Sequence, residues 1–333
     1  MQLAPRNLLQ SLAARLGRRV IPAAPPIAQL NHFQQAFNAR EPSLNGLPET
    51  VFIELAMACN LRCEMCPVPK NMELMGSRAR VIMKPDVFRR VLSGLTGNHH
   101  SLCLNQMGEP LLNKHAAKYV QWAKADGHRV GFYTNGTLLS RSVADALLDA
   151  GIDYVVFSLD GATKHTFESI RIGADFETTM ANVRYFCVEA KRRTRPCHVM
   201  VHMIISDLTE HEREQFSELW NGLADVQFIP LDDWAGQVEL PAKFGKPRTA
   251  KSKSVRYPCD LLWTALYISA EGNLMYCCHD YKHASGLSNV MQKGLLEIWA
   301  EEVGRERDRH ARGIYDSNAC ASCSAWQTRP ERY

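Results

Sequence analysis

The sequence predicts an α/β fold: a partial (β/α)6 barrel of TIM type, followed by a small C-terminal domain held together by a bound metal group. Two observations carry that expectation. Between Val51 and Pro230, six apolar strand-like runs alternate with longer helical patterns, the pattern of a parallel sheet with helical crossovers. From about residue 257 the long apolar helical runs give way to a turn-rich region bearing cysteines, and a domain with so little core needs a metal to stabilise it. A length of 333 residues suits two domains.

Taken in order, residues 1–47 read as a helical extension. Leu8, Leu9, Leu12, Leu16 and Val20 recur at helical spacing with arginines on the other side, until the Pro-rich stretch at Pro22–Pro26. A helix docked on the main domain is the plain reading, and a membrane-surface or partner helix is the alternative. The barrel domain spans 48–235. Its strands are expected at Val51–Met57, Ser101–Gln106, Arg129–Thr134, Tyr154–Leu159, His198–Ile205 and Val226–Pro230. Helices are expected at Lys84–Leu95, His115–Ala125, Arg141–Ala150, Phe176–Arg193 and Glu210–Leu223. Residues 236–256, with Gly236, Pro241, Gly245, Pro247 and then lysines, read as a linker, and 257–333 form the second domain. A curled parallel sheet has its active site at the C-terminal ends of its strands, and the chemically loaded residues here follow strands.

Bulk composition narrows the function. A net charge of +4 is mild and does not point to nucleic acid or an anionic membrane. No stretch approaches the roughly 20 apolar residues of a bilayer span, so no stable membrane insertion is expected. Near the N-terminus, Gln10 and Ser11 break the apolar run between Arg6 and Arg15, which argues against a secretory signal and for a cytoplasmic protein. There, eleven cysteines need a reason other than disulfides, and metal or cluster ligation is expected.

Cys59-Asn-Leu-Arg-Cys63-Glu-Met-Cys66 stands behind the first strand. Three thiolates at i, i+4 and i+7 on a short loop converge on one cube of iron and sulfide and leave its fourth iron without a protein ligand. Such an open position binds a substrate or cofactor directly. A zinc knuckle would want a fourth ligand nearby, and no histidine follows closely. Further on, Cys259, Cys277, Cys320 and Cys323 supply four thiolates. Their spacing permits either a fully ligated cluster or a four-cysteine zinc site.

On its Cys-x3-Cys-x2-Cys motif the chain resembles the radical S-adenosylmethionine superfamily, from about Val51 to the C-terminus. The resemblance implies that the free iron chelates S-adenosylmethionine and that a 5′-deoxyadenosyl radical abstracts hydrogen from the substrate. Met65 stands where the family often has an aromatic residue, its backbone facing the adenine. Met107-Gly108-Glu109-Pro110 is similar to the family's Gly-Gly-Glu motif, with Met107 in place of the first glycine and Glu109 expected to receive the methionine ammonium. Asn135 of Thr134-Asn135-Gly136 and Ser158 of Ser158-Leu159-Asp160-Gly161 follow the third and fourth strands, with Ser158 expected at the ribose. Arg171 resembles the arginine that pairs with the cofactor carboxylate, a task that suits a planar guanidinium. Cys259, Gly272-x4-Cys277 and Cys320-x2-Cys323 resemble the twitch domain, a shortened SPASM domain with one auxiliary cluster. The implied cofactors are therefore S-adenosylmethionine and two 4Fe-4S clusters, and the implied partner is a reductant such as flavodoxin or ferredoxin.

On the substrate side, Asp232-Asp233-Trp234 follows the sixth strand. Two carboxylates and an aromatic ring bind hydroxyls or an amine and stack on a sugar face; a solvated loop tip is the plain alternative. His279 and Asp280 are similar candidates. Cys278 adjoins a cluster ligand, and a thiol in a radical site donates a hydrogen atom. Cys103 and Cys187 read as buried small hydrophobes, and Cys197 opens the fifth strand. The expected reaction is oxidation of an alcohol to a ketone on a small carbohydrate- or aminocyclitol-like molecule. Epimerisation, with Cys278 or Cys103 as hydrogen donor, competes with it. Peptide modification ranks lower, because only about 47 residues precede the first strand, and a zinc-binding scaffold ranks last.

Overall fold

The computed structural model describes residues 31–76, 80–247, 255–327, 329 and 331. The helical pattern at Leu8–Val20 and residues 248–254 of the expected linker lie outside the described residues.

All six expected strands are present: β1 (Thr50–Ile53), β2 (Ser101–Cys103), β3 (Arg129–Thr134), β4 (Tyr154–Ser158), β5 (His198–Ile205) and β6 (Asp225–Pro230). β1 and β2 stop sooner than their apolar runs. Beyond β1 the chain leaves the ladder, and Met57 donates instead to the Val81 carbonyl. Parallel strands covered on both faces read as unbroken apolar runs, as β4 does with Tyr154, Val155, Val156 and Phe157 all buried. β5 alternates instead: Val199, Val201, Met203 and Ile205 are buried, while Met200, His202 and Ile204 on the opposite face are partly open.

Between the strands run α1 (His32–Ala39), α2 (Pro67–Met75), α3 (Pro85–Gly94), α4 (Ala116–Ala125), α5 (Arg141–Asp149), α6 (Lys164–Ile170), α7 (Phe176–Arg192) and α8 (Arg213–Trp220). Their starts are written in the sequence. Proline sits in the first turn of α2 and α3, and the side chains of Ser140, Thr163 and Asp175 cap α5, α6 and α7. α2 and α6 went unpredicted because one carries two prolines and the other is only seven residues long.

The sheet is open, with strand order β6-β5-β4-β3-β2-β1-β7-β8. Two strands, β7 (Ala265–Ile268) and β8 (Leu274–Met275), come from the C-terminal region and extend the expected six. β7 lies parallel to β1, from Thr50↔Ala265 to Ile53↔Ile268, and β8 turns back antiparallel. The C-terminal region thus continues the barrel sheet beyond β1.

α9 (Leu261–Thr264) and α10 (Gly304–Ala311) complete that region. Trp263 is fully buried; its Nε1–H donates to the Glu41 carbonyl at 2.6 Å and its ring meets the edge of Phe37 at 5.5 Å. Arg307, also fully buried, donates to the carbonyls of Pro42, Leu262 and Trp299 at 2.7, 3.1 and 3.0 Å. These two side chains sew the segment after α1 to the C-terminal region. Among the described residues no helix is long and apolar enough to cross a membrane.

Trp263→Ala is expected to destabilise the protein by about 3–5 kcal/mol, whereas Leu296→Ala, at a half-exposed position, is expected to stay within about 0.5 kcal/mol. Urea unfolding midpoints of the two variants check the difference.

Candidate functional site

A cavity of about 410 Å³ opens at the C-terminal ends of the strands. The loop after β1 brings Cys59, Cys63, Met65 and Cys66 to its wall, and the loop after β2 brings Gln106, Met107, Gly108 and Glu109. Asn135 follows β3, Ser158 ends β4, Arg171 follows α6, and Asp232 and Trp234 follow β6. Cys103 at the end of β2 and Cys278 after β8 complete the expected residues there.

Glu109 is the knot of this surface. Its carboxylate is buried and accepts from Leu111 N–H at 3.0 Å, Thr134 Oγ1–H at 2.7 Å and Asn135 N–H at 2.9 Å. A carboxylate has about four acceptor positions, so one remains, on Oε2. Burial outweighs these bonds and lifts its pKa above the ordinary carboxylate value. Its own N–H donates to the Ala58 carbonyl at 2.8 Å, which fixes the residue before Cys59. Gly108 makes the approach feasible: a Cβ there would stand 2.1 Å from the Ala56 carbonyl oxygen and 2.3 Å from that of Ala58. Asn135 extends the net through its Nδ2, 3.1 Å from Asn60 Oδ1 and 3.8 Å from Cys59 Sγ.

Burial raises all three thiols of the loop after β1, Cys59 to about 11 and Cys66 to about 12. Arg171 pulls the other way at Cys63, with Nη1 4.0 Å from its sulfur. The guanidinium is held by Asp160, 2.5 Å away and fully buried, and Arg171 Nε has no hydrogen-bond partner. One buried and two partly buried thiols that face one cavity, all with raised pKa, are held as thiolates by a positive group, which is what a cluster of irons provides. The donor set fits that group.

His202, on the cavity-facing side of β5, was missed in the sequence. Burial lowers its pKa to about 4, so the ring is neutral, and its Nδ1 is buried without a hydrogen-bond partner. The two-residue alternation of β5, which sets His202 opposite Val201 and Met203, was the available signal. Tyr133 and Gln106 were missed likewise; Gln106 Nε2 donates to the Cys277 carbonyl at 3.4 Å, and its Oε1 is buried without a partner.

Asp232 and Cys278 meet through His279. The imidazole places Nε2 3.2 Å from Asp232 Oδ2 and Nδ1 3.6 Å from Cys278 Sγ. Burial pushes the Cys278 thiol up, but the hydrogen bond and charge of His279 outweigh it and hold the thiol below its ordinary value. Burial disfavours the His279 cation, yet Asp232 and the neighbouring sulfurs raise its pKa well above the usual imidazole value. Asp233 does not line the cavity; its carboxylate accepts from Gly236 N–H at 2.8 Å and shapes the turn. Asp280 is likewise engaged in a turn, accepting from Ala284 and Ser285 N–H.

Cys259 and Cys277 pack, with Cys278, against the small core of Leu261, Ala265, Tyr267 and Met275. Burial lifts Cys320 to about 12, and the charges of Cys277, Glu306 and Cys323 add to that rise. Among the described residues, the one trio of His, Cys, Asp or Glu with ligand atoms within 4.8 Å of one another is Glu306, His310 and Cys320. No three of the seven candidate sulfurs are therefore that close.

Gly108→Ala forces a methyl group against two backbone carbonyls. It is expected to cost about 1–3 kcal/mol through strain and to free the donors around Glu109; a lowered thermal midpoint, with unchanged secondary structure by circular dichroism at 20 °C, checks it.

A model of the radical SAM superfamily matches residues 53–219, and a model of the SPASM iron–sulfur cluster-binding domain matches residues 259–324. A PqqA peptide cyclase of Rhodopseudomonas palustris is 32% identical over 117 residues, which cover 35% of this chain and 30% of that protein. The chain spans about half the length or less of the first curated relatives that it matches. Among solved structures, BtrN in complex with AdoMet and 2-DOIA is similar with a TM-score of 0.54 at 16% identity, over 84% of this chain and 94% of that one. SuiB of Streptococcus suis, bound to precursor peptide SuiA, gives 0.61 at 14% identity, over 96% and 81%. At such identities the structures show the fold alone. With one family model covering half of its length and a second covering the region of β7 and β8, the chain belongs to the radical SAM superfamily and carries a C-terminal SPASM iron–sulfur domain.

Proposed function

We propose that this chain oxidises an alcohol carbon of a small, carbohydrate- or aminocyclitol-like substrate to a ketone. One observation supports this most: Cys278, in the cavity wall, directly follows Cys277, a candidate ligand of the auxiliary cluster. The substrate cavity and the auxiliary site then share a single turn of chain. When bound, S-adenosylmethionine on the first cluster supplies a 5′-deoxyadenosyl radical that takes one hydrogen atom, and one auxiliary cluster supplies a sink for one electron.

Cys59, Cys63 and Cys66 would hold the first cluster, and Cys259, Cys277, Cys320 and Cys323 the second. Met65, Met107, Gly108, Asn135, Ser158, the remaining acceptor position of Glu109 and Arg171 would hold the cofactor. Trp234 and Asp232 would bind the substrate. A substrate alcohol that has lost a hydrogen atom must still lose one proton and one electron to become a ketone, and Asp232 is the carboxylate on the cavity wall able to take the proton. A flavodoxin or ferredoxin would supply the initiating electron, and the eleven free cysteines suit the reducing cytoplasm.

Epimerisation is the second reading, favoured by the Cys278 sulfur in the cavity wall. There the thiol hydrogen would return to the opposite face of the substrate carbon, and product mass would be unchanged. Oxidation lowers it by two hydrogens. Under the main reading, a soluble Cys320→Ala, Cys323→Ala variant still forms 5′-deoxyadenosine but releases at least tenfold less oxidised product, as read by mass spectrometry. Wild-type output of oxidised product from that variant would exclude the electron-sink role, and an isomer of unchanged mass that disappears in Cys278→Ser would replace oxidation with epimerisation.

A further inference from the structure

The trio of Glu306, His310 and Cys320 has the compactness of a single-ion site, but its hydrogen bonds exclude that use. His310 Nδ1 accepts the Cys259 N–H at 3.2 Å. A neutral imidazole that accepts at Nδ1 carries its proton on Nε2, so Nε2 has no lone pair for a metal. That nitrogen faces Glu306 Oε1 at 3.4 Å. Glu306 in turn accepts from Ser317 Oγ–H at 2.7 Å, and the Ser317 carbonyl accepts the Cys320 N–H at 2.9 Å. Two polar links therefore reach the candidate ligands, from His310 to the amide of Cys259 and from Glu306 through Ser317 to the amide of Cys320; they approach each other at Nε2 and Oε1 without a hydrogen bond, on side chains 1% and 3% exposed. Glu306 and His310 stand four residues apart on α10, where they share one face. The Tyr315 ring closes the far side of the imidazole, edge-on at 4.9 Å.

We propose that His310, backed by Glu306, is a positioning residue for the auxiliary cluster: it binds the Cys259 amide, sets that ligand against Cys320, and keeps the N–H away from the cluster sulfurs. The inference rests on the reading of Cys259 and Cys320 as auxiliary ligands. Hydrogen bonds to the sulfurs are one of the protein's levers on cluster potential. An N–H pointed at sulfur stabilises the more negative, reduced cluster. An N–H taken by His310 leaves the oxidised form favoured.

The test uses the full chain with Cys59, Cys63 and Cys66 replaced by Ala, so that iron and electron paramagnetic resonance signals come from the auxiliary site alone. In that background, His310→Leu removes the acceptor, and His310→Asn puts its Oδ1 where Nδ1 stood. The Leu variant is expected to raise the auxiliary midpoint potential by a tenfold change in the one-electron reduction constant, or about 59 mV. The Asn variant is expected to return it to within threefold of the background. An unchanged potential in a fully loaded Leu variant would overturn the proposal. If the Leu variant binds no iron, the Asn variant decides: iron and potential restored support the positioning role, and iron still absent shows that the ring only fills space. A background protein without about four irons would instead sink the ligand assignment itself, before either variant is compared.

Discussion

A carboxylate with almost no access to water holds this active site together. Glu109 satisfies donors at the end of β3 and in its own loop, and its amide ties that loop to the chain just before Cys59. Three strand ends are thus joined by one residue, two through its side chain and one through its amide. Remove it, and each orphaned buried donor costs about 1–3 kcal/mol. The arrangement requires Gly108, because two carbonyls occupy the space any other residue would need. Cys59, which directly follows Ala58, takes its position from this knot.

The same logic explains what the sequence revealed and what it hid. β3 and β5 match their predicted bounds because their apolar runs end where their ladders end. β1 does not, since an extended chain that turns away to Val81 has the same pattern as one still paired. β7 is only four residues long and lies in a region that reads as loops, so its partner was not legible. Residues carried by motifs, such as Cys59, Glu109 and Asn135, stood out in the sequence by their spacing, and the fold brings them to one cavity. His202 belongs to no motif and shows only in which face of β5 it occupies. Asp233 reads as chemistry but shapes a turn, because a carboxylate serves either purpose and only the fold decides. For the four C-terminal cysteines, spacing along the chain left zinc open, whereas the model of an iron–sulfur cluster-binding domain matches the region that holds them.

The barrel and the C-terminal region are also locked at the level of single side chains. Gln106, from the loop that bears Glu109, donates to the Cys277 carbonyl, and Asn71 on α2 donates to the Tyr281 carbonyl at 3.0 Å. The first joins the loop after β2, and the second joins α2, to the segment after β8. Relative motion of the barrel and the C-terminal region would break these hydrogen bonds in partly buried surroundings.

The seating of β1 has a consequence for how the protein is made. Its neighbours on either side are β2 and β7, and Thr50 must wait for Ala265 after it has already met Ser101. At the usual 5–20 residues per second of synthesis, that wait lasts roughly eight to thirty-three seconds. During it, a row of bare N–H and C=O groups lies along the edge of an otherwise assembled parallel sheet, and an open edge of that kind is a template for pairing with another chain. The barrel sheet therefore carries an open seam while it is being synthesised, and the C-terminal region is the one that closes it.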